Sequence, residues 1–290
     1  MVGLWKILVS MTAAVCLIAT TPASAQQIKD RVLQEGRITV GISNSAPWAF
    51  KTADGSVSGV HPELIRAVLE PLGIKHFDFV IIDFGALIPS LLAKRVDVVA
   101  SGMGITPARC QQVIFGNPDL ASIDALLVKK GNPLKIHSYE DIVKNPTIRM
   151  GGYRGGSNTE NALAAGIPQG QMQLFQDIDS GVGALTAVRI DALTLGVATA
   201  ERLLKEPVLN ARLERATPFK GRILKNGREA ANYGAMVFRP EDTQLRDAYN
   251  ASFEKLKGNG TVKNILAKYG FPEAPDGLTV RELCSPDYYK

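Results

Sequence analysis

The stretch FGALIPSLLAKRVDVVASGMGITPARC, residues 84–110, decides the fold of this chain. Its first part, Leu87–Leu92, carries apolar residues at helical spacing and predicts an amphipathic helix. Val96–Ala100 is a short apolar run with a single acid, which is typical of a buried parallel strand. The stretch therefore predicts a helix, a turn and a buried strand, in that order.

A glycine-rich loop follows the predicted strand and leads into a second helix. Gly102 and Gly104 allow a tight turn or a close approach of the backbone to a ligand. Thr106 can cap the next helix with Pro107 at its first position, which places Arg109 in the first helical turn. A cation there opposes the helix dipole unless an anion lies between the guanidinium and the exposed N–H groups. Two interpretations stay open: Arg109 anchors an anion, or it points into water.

The bulk composition is that of a soluble globular protein. The 290 residues suffice for one large domain or two of ordinary size, and hydrophobic residues make up 46% and charged residues 21%. The net charge of +5 is spread along the chain without a long basic run, so a nucleic-acid partner is not expected.

The N-terminus has the features of a secretory signal peptide. Lys6 precedes the apolar run Ile7–Thr20, and Ala23–Ala25 is a small-residue cleavage sequence. We expect residues 1–25 to be removed and the mature chain to be periplasmic; the alternative is an uncleaved anchor. The mature chain then holds Cys110 and Cys284, which predict a disulfide in an exported protein or, alternatively, two buried free thiols.

A second glycine-rich turn resembles the first in its position. Gly151–Gly156 follows a predicted strand, and Ser157 and Glu160 have the spacing of a capping box, so a helix N-terminus is expected there. The preceding helix, Ser138–Lys144, is predicted to point Tyr139 outward. The turn is a second anion-ready position or a routine strand-to-helix connection.

Strands and helices alternate along the chain, which predicts two α/β lobes. The breaker cluster Lys130–Pro133 is the candidate first crossing between lobes, and the strand Tyr233–Phe238 can return to the first. The predicted lobes are residues 26–130 with 234–290, and residues 131–233.

The loop after the first strand carries two aromatic residues. Trp48 lies just beyond the carboxyl end of the strand Arg37–Ile42, where ligands bind in open α/β sheets, whereas Phe50 is expected to cover the local core. His61 is interpreted as a helix-start residue. The histidines share no ligand spacing, so neither a metal site nor a cofactor is expected.

Several motifs together resemble a family 3 extracytoplasmic solute-binding protein, the receptor of an amino-acid-type ABC importer. They are Asn44–Phe50, FGALIP (84–89), RVDVVASGMGITPARC (95–110), AGIP (165–168), RIDAL (189–193), YGAMVF (233–238) and GNGTVKNILAKYG (258–270). The further phrases ITPARC, VKKGNP (128–133) and SYED (138–141) resemble the ectoine/hydroxyectoine-binding subgroup.

The resemblance implies a two-lobed periplasmic-binding-protein fold of type II, the Venus flytrap, with the ligand between the lobes. It implies that Arg109 pairs with a ligand carboxylate. It also implies that the other ligand contacts come from a loop, from aromatic walls and from a second-lobe helix start, namely Gly102, Thr106, Trp48, Phe84, Gly156 and Ser157.

Five positions concern the cationic end of the ligand. Gly196 stands where receptors for α-amino acids carry the acid that holds the ammonium. Ser45 and Gly104 stand where the resemblance to ectoine receptors implies an acid and an aromatic residue, and His61 stands where many relatives have an acid. Asp177 is the candidate for the missing charge.

The expected function is therefore capture of a small, carboxylate-bearing, zwitterionic solute for an ABC permease in the inner membrane, by a monomer. Two alternatives remain open. One is a cyclohexadienyl dehydratase-like lyase on the same fold, which needs a positioned acid or base in the cleft. The other is a soluble ligand sensor for a membrane receptor.

Overall fold

The computed structural model describes residues 28–290, so the predicted signal peptide lies outside the described residues. The helices are α1 Ile28–Glu35, α2 Val60–Leu69, α3 Leu87–Leu92, α4 Pro107–Cys110, α5 Tyr139–Lys144, α6 Ser157–Ala164, α7 Ile178–Thr186, α8 Val197–Leu203, α9 Pro207–Asn210, α10 Thr243–Gly258, α11 Thr261–Lys268 and α12 Val280–Leu283. The strands are β1 Arg37–Ile42, β2 Phe50–Lys51, β3 Val57–Ser58, β4 His76–Ile81, β5 Val98–Val99, β6 Ile114–Phe115, β7 Leu120–Lys129, β8 Met150–Tyr153, β9 Met172–Phe175, β10 Ala192–Gly196, β11 Leu213–Arg215, β12 Ala231–Gly234 and β13 Val237–Phe238. From residue 28 onward, no helix has the length and apolar character needed to cross a membrane.

The first lobe is built on the sheet β4-β1-β5-β13-β6, in which β1 is parallel to both β4 and β5. The stretch 84–110 supplies α3 and β5. Leu87 and Leu91 of α3 are fully buried, whereas Leu92, predicted on the same stripe, is 41% exposed because the helix ends there. Asp97, the one acid of the strand region, is tolerated inside because it accepts hydrogen bonds from Arg31 and from the Thr39 N–H.

The second lobe is built on the sheet β11-β7-β10-β8-β9. Strands β8, β9 and β10 are parallel, and β10 runs antiparallel to β7 with Gly196 opposite Asp124. Apolar clusters cover the two faces of this sheet. Tyr139, predicted to point outward, is instead 1% exposed in one of these clusters, because its ring covers the sheet while its hydroxyl finds polar partners.

Two neighbouring strands connect the sheets. Strand β12 pairs with Leu120–Ile123, the first part of β7, whereas Asp124–Val128 pair with β10 in the second sheet. The first crossing therefore precedes Asp124, which is earlier in the chain than the predicted crossing at the breaker cluster Lys130–Pro133. That cluster forms the turn that ends β7 within the second lobe, where the Asn132 N–H donates to the Lys129 carbonyl.

The C-terminal tail packs against both lobes. Cys284 forms a disulfide with Cys110, which confirms the predicted pair. The Tyr289 hydroxyl donates to the Ile105 carbonyl in the first lobe, and Arg222 donates to the Tyr289 carbonyl from the segment that precedes β12. The tail thus contacts the glycine loop of the first lobe and a segment of the second.

Loss of the disulfide is expected to destabilise the protein by about 2–5 kcal/mol, because the bridge closes a long loop in the unfolded chain. The check is guanidinium unfolding of a Cys110→Ser/Cys284→Ser variant beside the wild type, each with and without reductant. The variant should have the same guanidinium midpoint with and without reductant, and this midpoint should equal that of the reduced wild type. Equal midpoints for oxidised wild type and variant would contradict a stabilising bridge.

Candidate functional site

The glycine loop delivers Arg109 to the boundary between the lobes. Thr106 caps α4 as predicted, with its hydroxyl accepting from the Arg109 N–H and Pro107 at the first helical position. The Arg109 side chain is 8% exposed, so the interpretation that it points into water is wrong. Burial lowers the pKa of its guanidinium, and the negative charge of Glu160 opposes that shift.

The Arg109 guanidinium joins the two lobes. Its Nη1 donates to the Gly104 carbonyl at 2.8 Å, and its Nη2 donates to the Gly155 carbonyl of the second lobe at 2.7 Å. Glu160 lies 3.5 Å from Nη2, and the Phe84 ring centre lies 5.7 Å from the guanidinium carbon. Two of the five donors are therefore held by backbone carbonyls, and the charge is only partly balanced by a half-exposed carboxylate.

Trp48 lies flat against the glycine loop. Gly102 has a φ of +71°, and a Cβ on it would lie 2.6 Å from Trp48 Cδ2, so the indole occupies the space a side chain would need. His61 holds the same loop from below: its Nδ1 accepts the Gly102 N–H at 2.5 Å, and its Nε2 lies 3.2 Å from Asp119. His61 does begin a helix, and it also supports the loop, which its position in the sequence did not reveal.

Replacing Gly102 by alanine is expected to destabilise the protein by about 1–3 kcal/mol, because the new methyl group meets the Trp48 ring at a backbone angle that alanine disfavours. Thermal unfolding and the near-ultraviolet dichroism of tryptophan report this change. Gly183→Ala is the matched control, since nothing lies within 4 Å of a Cβ at that helical position. Equal melting temperatures for the two variants would contradict the packing.

The second-lobe wall begins at helix α6, whose N-cap is Gly156 and whose first residue is Ser157. The predicted capping box is therefore wrong: Gly156 offers no side chain, and Glu160 faces Arg109 instead of returning to the helix start. Because no side chain caps this helix, the N–H groups of its first turn are open to a ligand.

A cavity lies between the lobes, and every residue that lines it is uncharged. The lining is Ser43, Ser45, Trp48, Phe84, Ser101, Gly102, Tyr153, Gly156, Ser157, Asn158, Ile178, Thr194, Leu195, Gly196, Thr199 and Asn232. It brings together Ser45, Trp48, Phe84, Gly102, Gly156 and Ser157 of the predicted site.

Four predicted site residues do not line this cavity, namely Gly104, Thr106 and Arg109 of the first lobe and Asp177 of the second. Asn232 takes the place of a side chain at Gly104, where a Cβ would lie 2.9 Å from the Asn232 Cγ. The aromatic residue implied at that position is thus replaced by an amide from the crossing strand β12. Arg109 lies one layer behind the lining, where it contacts Phe84 and Gly104.

Asp177 lies outside the cavity, in a wider space of about 1270 Å³ that continues the cleft toward solvent. Its carboxylate caps α7 by accepting the Ser180 N–H at 2.7 Å. Phe50, predicted to cover the core, is half-buried at the rim of the same space. Asp177 therefore stabilises a helix start and does not reach the neutral cavity.

A buried carboxylate stands behind the second-lobe wall. Asp124, on β7, is 3% exposed and accepts from Asn158 at 2.5 Å, from Tyr139 at 2.8 Å and from Asn161 at 3.4 Å. Burial raises its pKa to about 7 against the lowering effect of these hydrogen bonds, and nearby Glu229 raises it further. The Tyr139 hydroxyl also lies 2.7 Å from the Thr194 hydroxyl, which lines the cavity.

Sequence reasoning missed most polar residues of the lining, among them Ser43, Ser101, Asn158, Thr194 and Asn232. No local pattern marks them, since they come together only through the closure of two lobes. Tyr153 could have been predicted, because it lies in the second glycine-rich turn. Its ring centre is 5.4 Å from that of Phe84 across the cleft.

Comparison with known proteins matches this geometry. Residues 38–273 fit the model of the bacterial extracellular solute-binding proteins, family 3. The chain is 33% identical to a "Probable amino-acid ABC transporter periplasmic-binding protein y4tE" of Sinorhizobium fredii, over 95% of this chain and 92% of that protein. It is 29% identical to the histidine-binding periplasmic protein of Salmonella typhimurium, over 77% of this chain and 83% of that protein.

A solved structure, EhuB in complex with hydroxyectoine, superposes with a TM-score of 0.81 at 32% identity, covering 89% of this chain and 98% of that one. The two sheets, the crossing strands and the interlobe cavity are thus those of a two-lobed binding protein of type II. The chain belongs to the bacterial extracellular solute-binding proteins, family 3.

Proposed function

We propose that this chain is the periplasmic solute-binding component of an ABC transporter and that its cavity takes a small zwitterion. One observation carries the choice of solute: a neutral cavity is flanked by two buried opposite charges, Arg109 on the first-lobe side and Asp124 on the second. A solute with a carboxylate and a separate cation complements that arrangement without a net charge in the lining.

The carboxylate end is assigned to the Arg109 side. The guanidinium keeps donors beyond those bound to Gly104 and Gly155, and the uncapped start of α6 at Gly156 adds backbone N–H groups. Such charge-assisted bonds are strongest where water is excluded, as in a closed cleft. Thr106 acts here through its cap of α4, which orients Arg109.

The cationic end is assigned to the aromatic and hydroxyl lining. Trp48 and Phe84 offer ring faces that attract a cation, and Ser45 adds a hydroxyl where an acid is implied by the resemblance. The hydroxyectoine complex of EhuB supports a cyclic, ectoine-like solute for this chain, and the amino-acid receptors among its relatives support an amino acid as the other class.

A binding role, and not catalysis, fits the lining. Among the described residues, no acid, lysine or histidine borders the cavity. Tyr153 is the titratable side chain in the lining, and burial raises its pKa to about 12, far from the neutral range in which a lyase needs its acid or base. No group of histidine, cysteine, aspartate or glutamate side chains in residues 28–290 is arranged to hold a metal. The expected partner is a membrane permease that receives the loaded, closed form of a monomer.

The test is a thermal-shift screen followed by calorimetry with ectoine, hydroxyectoine, L-histidine and L-arginine. Histamine and agmatine, which lack the carboxylate, are the matched controls. A true solute at 100 times its Kd should add about 2.7 kcal/mol to the free energy of unfolding. Binding of the carboxylate-free controls as tightly as their parents, or no shift with any zwitterion, would refute the proposal.

A further inference from the structure

The cavity lacks the acid that holds a ligand cation in receptors for common amino acids, since that position is Gly196. Strand β7 runs antiparallel to β10, and Asp124 is the residue directly opposite Gly196 in the ladder. Their side-chain positions therefore share one face of the sheet. An acid is present at this end of the cleft, but it lies on the neighbouring strand and behind the lining.

The hydrogen bonds that Asp124 accepts determine which atom donates in the hydrogen bonds between Asp124 and the cavity. An ionised carboxylate only accepts, so Tyr139 must give its single proton to Asp124. The Tyr139 oxygen can then only accept from Thr194, which uses the one proton of that hydroxyl. Thr194 is left with lone pairs toward the cavity that it lines.

The same logic orients the amide of Asn158. Its Nδ2 donates to Asp124 at 2.5 Å, so the opposite atom of the amide, Oδ1, is the one left for the cavity. Asn161 also turns its Nδ2 toward Asp124, at 3.4 Å, which satisfies the carboxylate further. Thr194 and Asn158, the two cavity-lining side chains in front of Asp124, therefore present acceptors to the cavity.

We propose that Asp124, acting through Tyr139 and Asn158, makes the Thr194 and Asn158 side chains of the second-lobe wall hydrogen-bond acceptors that select a solute carrying N–H groups on its cation, while the open N–H groups at the start of α6 serve the carboxylate. This inference rests on the proposed function and adds the chemistry of the cationic end. A quaternary ammonium, which has no N–H, leaves the acceptors of Thr194 and Asn158 unpaired and is discriminated against. Asp124 and Tyr139 are positioning residues, since neither borders the cavity.

Protonation of Asp124 reverses this array. A neutral carboxyl group can donate to the Tyr139 oxygen, and Tyr139 then donates to the Thr194 oxygen. The Thr194 O–H is then free to act as a donor toward the cavity. The titratable groups that face Asp124 are Tyr139 from α5 and Glu229 from the segment before β12, while α6 contributes only neutral amides. Affinity for an N–H-bearing cation is thus expected to rise with pH in the range where Asp124 ionises.

The experiment is calorimetry with two carboxylate-bearing probes, ectoine, whose cation carries N–H groups, and proline betaine, whose cation carries none. Wild type should bind ectoine about tenfold or more tightly than proline betaine, and its affinity for ectoine should rise about threefold or more from pH 6 to pH 8. Asp124→Asn and Tyr139→Phe should each lose about tenfold for ectoine, little for proline betaine, and the pH dependence.

Matched controls separate this effect from damage to the fold. Asp191→Asn removes a carboxylate at the other end of β10, where it pairs with Arg149. Tyr249→Phe removes a buried hydroxyl from the first-lobe core. Both should bind like the wild type, and circular dichroism and melting curves confirm that each variant is folded.

Each outcome decides the inference. Equal wild-type affinity for the two probes, or folded Asp124 and Tyr139 variants that keep wild-type affinity and pH profile for ectoine, would overturn it while the proposed zwitterion receptor stands. A wild type that binds neither probe nor any zwitterion of the screen would overturn both. A loss shared equally by ectoine and proline betaine would show a structural role only.

Discussion

Replacing Arg109 by methionine is expected to weaken solute binding by at least about a hundredfold. The change removes two N–H donors that join the lobes through Gly104 and Gly155, together with the positive charge behind the cavity. Hydrogen bonds from charged groups are worth about 1.5–3 kcal/mol each, so the loss of the bridge and of a carboxylate contact reaches this magnitude. Isothermal titration with the solute found in the screen measures it directly.

The same variant should close less completely, which small-angle scattering detects as a larger radius of gyration in the presence of solute. Arg66→Met is the matched control, because Arg66 also lies over an aromatic ring, at 4.7 Å from the Phe79 centre, but belongs to the first lobe alone. An Arg109→Met protein within threefold of wild-type affinity would show that the guanidinium is a structural bridge and not an anchor for the carboxylate.

The second large effect concerns the pH dependence of stability. Because the pKa of Asp124 is about 7 in the fold and near 3.8 in the unfolded chain, the folded state holds a proton that the unfolded state releases. Its stabilising contribution is complete below the unfolded pKa and is lost as the pH rises through the folded pKa. About 4 kcal/mol of the free energy of unfolding should disappear between pH 4 and pH 7 through this one group.

Asp124→Asn removes that dependence. Denaturant unfolding of wild type and variant at a series of pH values gives two curves, and their difference isolates Asp124 because all other titrating groups are common to both. The free energy of unfolding of the wild type should fall relative to that of the variant as the pH rises. Parallel curves would mean that the hydrogen bonds from Asn158 and Tyr139 keep the carboxylate ionised at all of these pH values.

The elements that depend on local pattern could be predicted from the sequence. Strand β1 matches its predicted bounds, and Thr106 and Pro107 open α4 as expected. In each case a few neighbouring residues determine the backbone, so no distant part of the chain is needed to specify it.

The errors arise where a distant partner decides. Tyr139 is buried because Asp124 and Thr194 meet its hydroxyl, and both lie on strands that the helix signal does not include. Glu160 has the spacing of a capping box, yet Arg109 from the other lobe attracts it. The lining of the cavity could not be predicted for the same reason, since the cavity is enclosed only when two lobes and two crossing strands come together.

The C-terminal tail has a practical consequence for anyone who handles this protein. The carbonyl of Lys290 accepts the Lys225 N–H, and the Tyr288 ring contacts Arg228, so the end of the chain rests on the second lobe while its disulfide belongs to the first. An affinity tag or fluorescent reporter fused after Lys290 would disturb the contacts of the tail with both lobes, which must separate to admit solute. Fusions belong before α1, on the N-terminal side of the described residues.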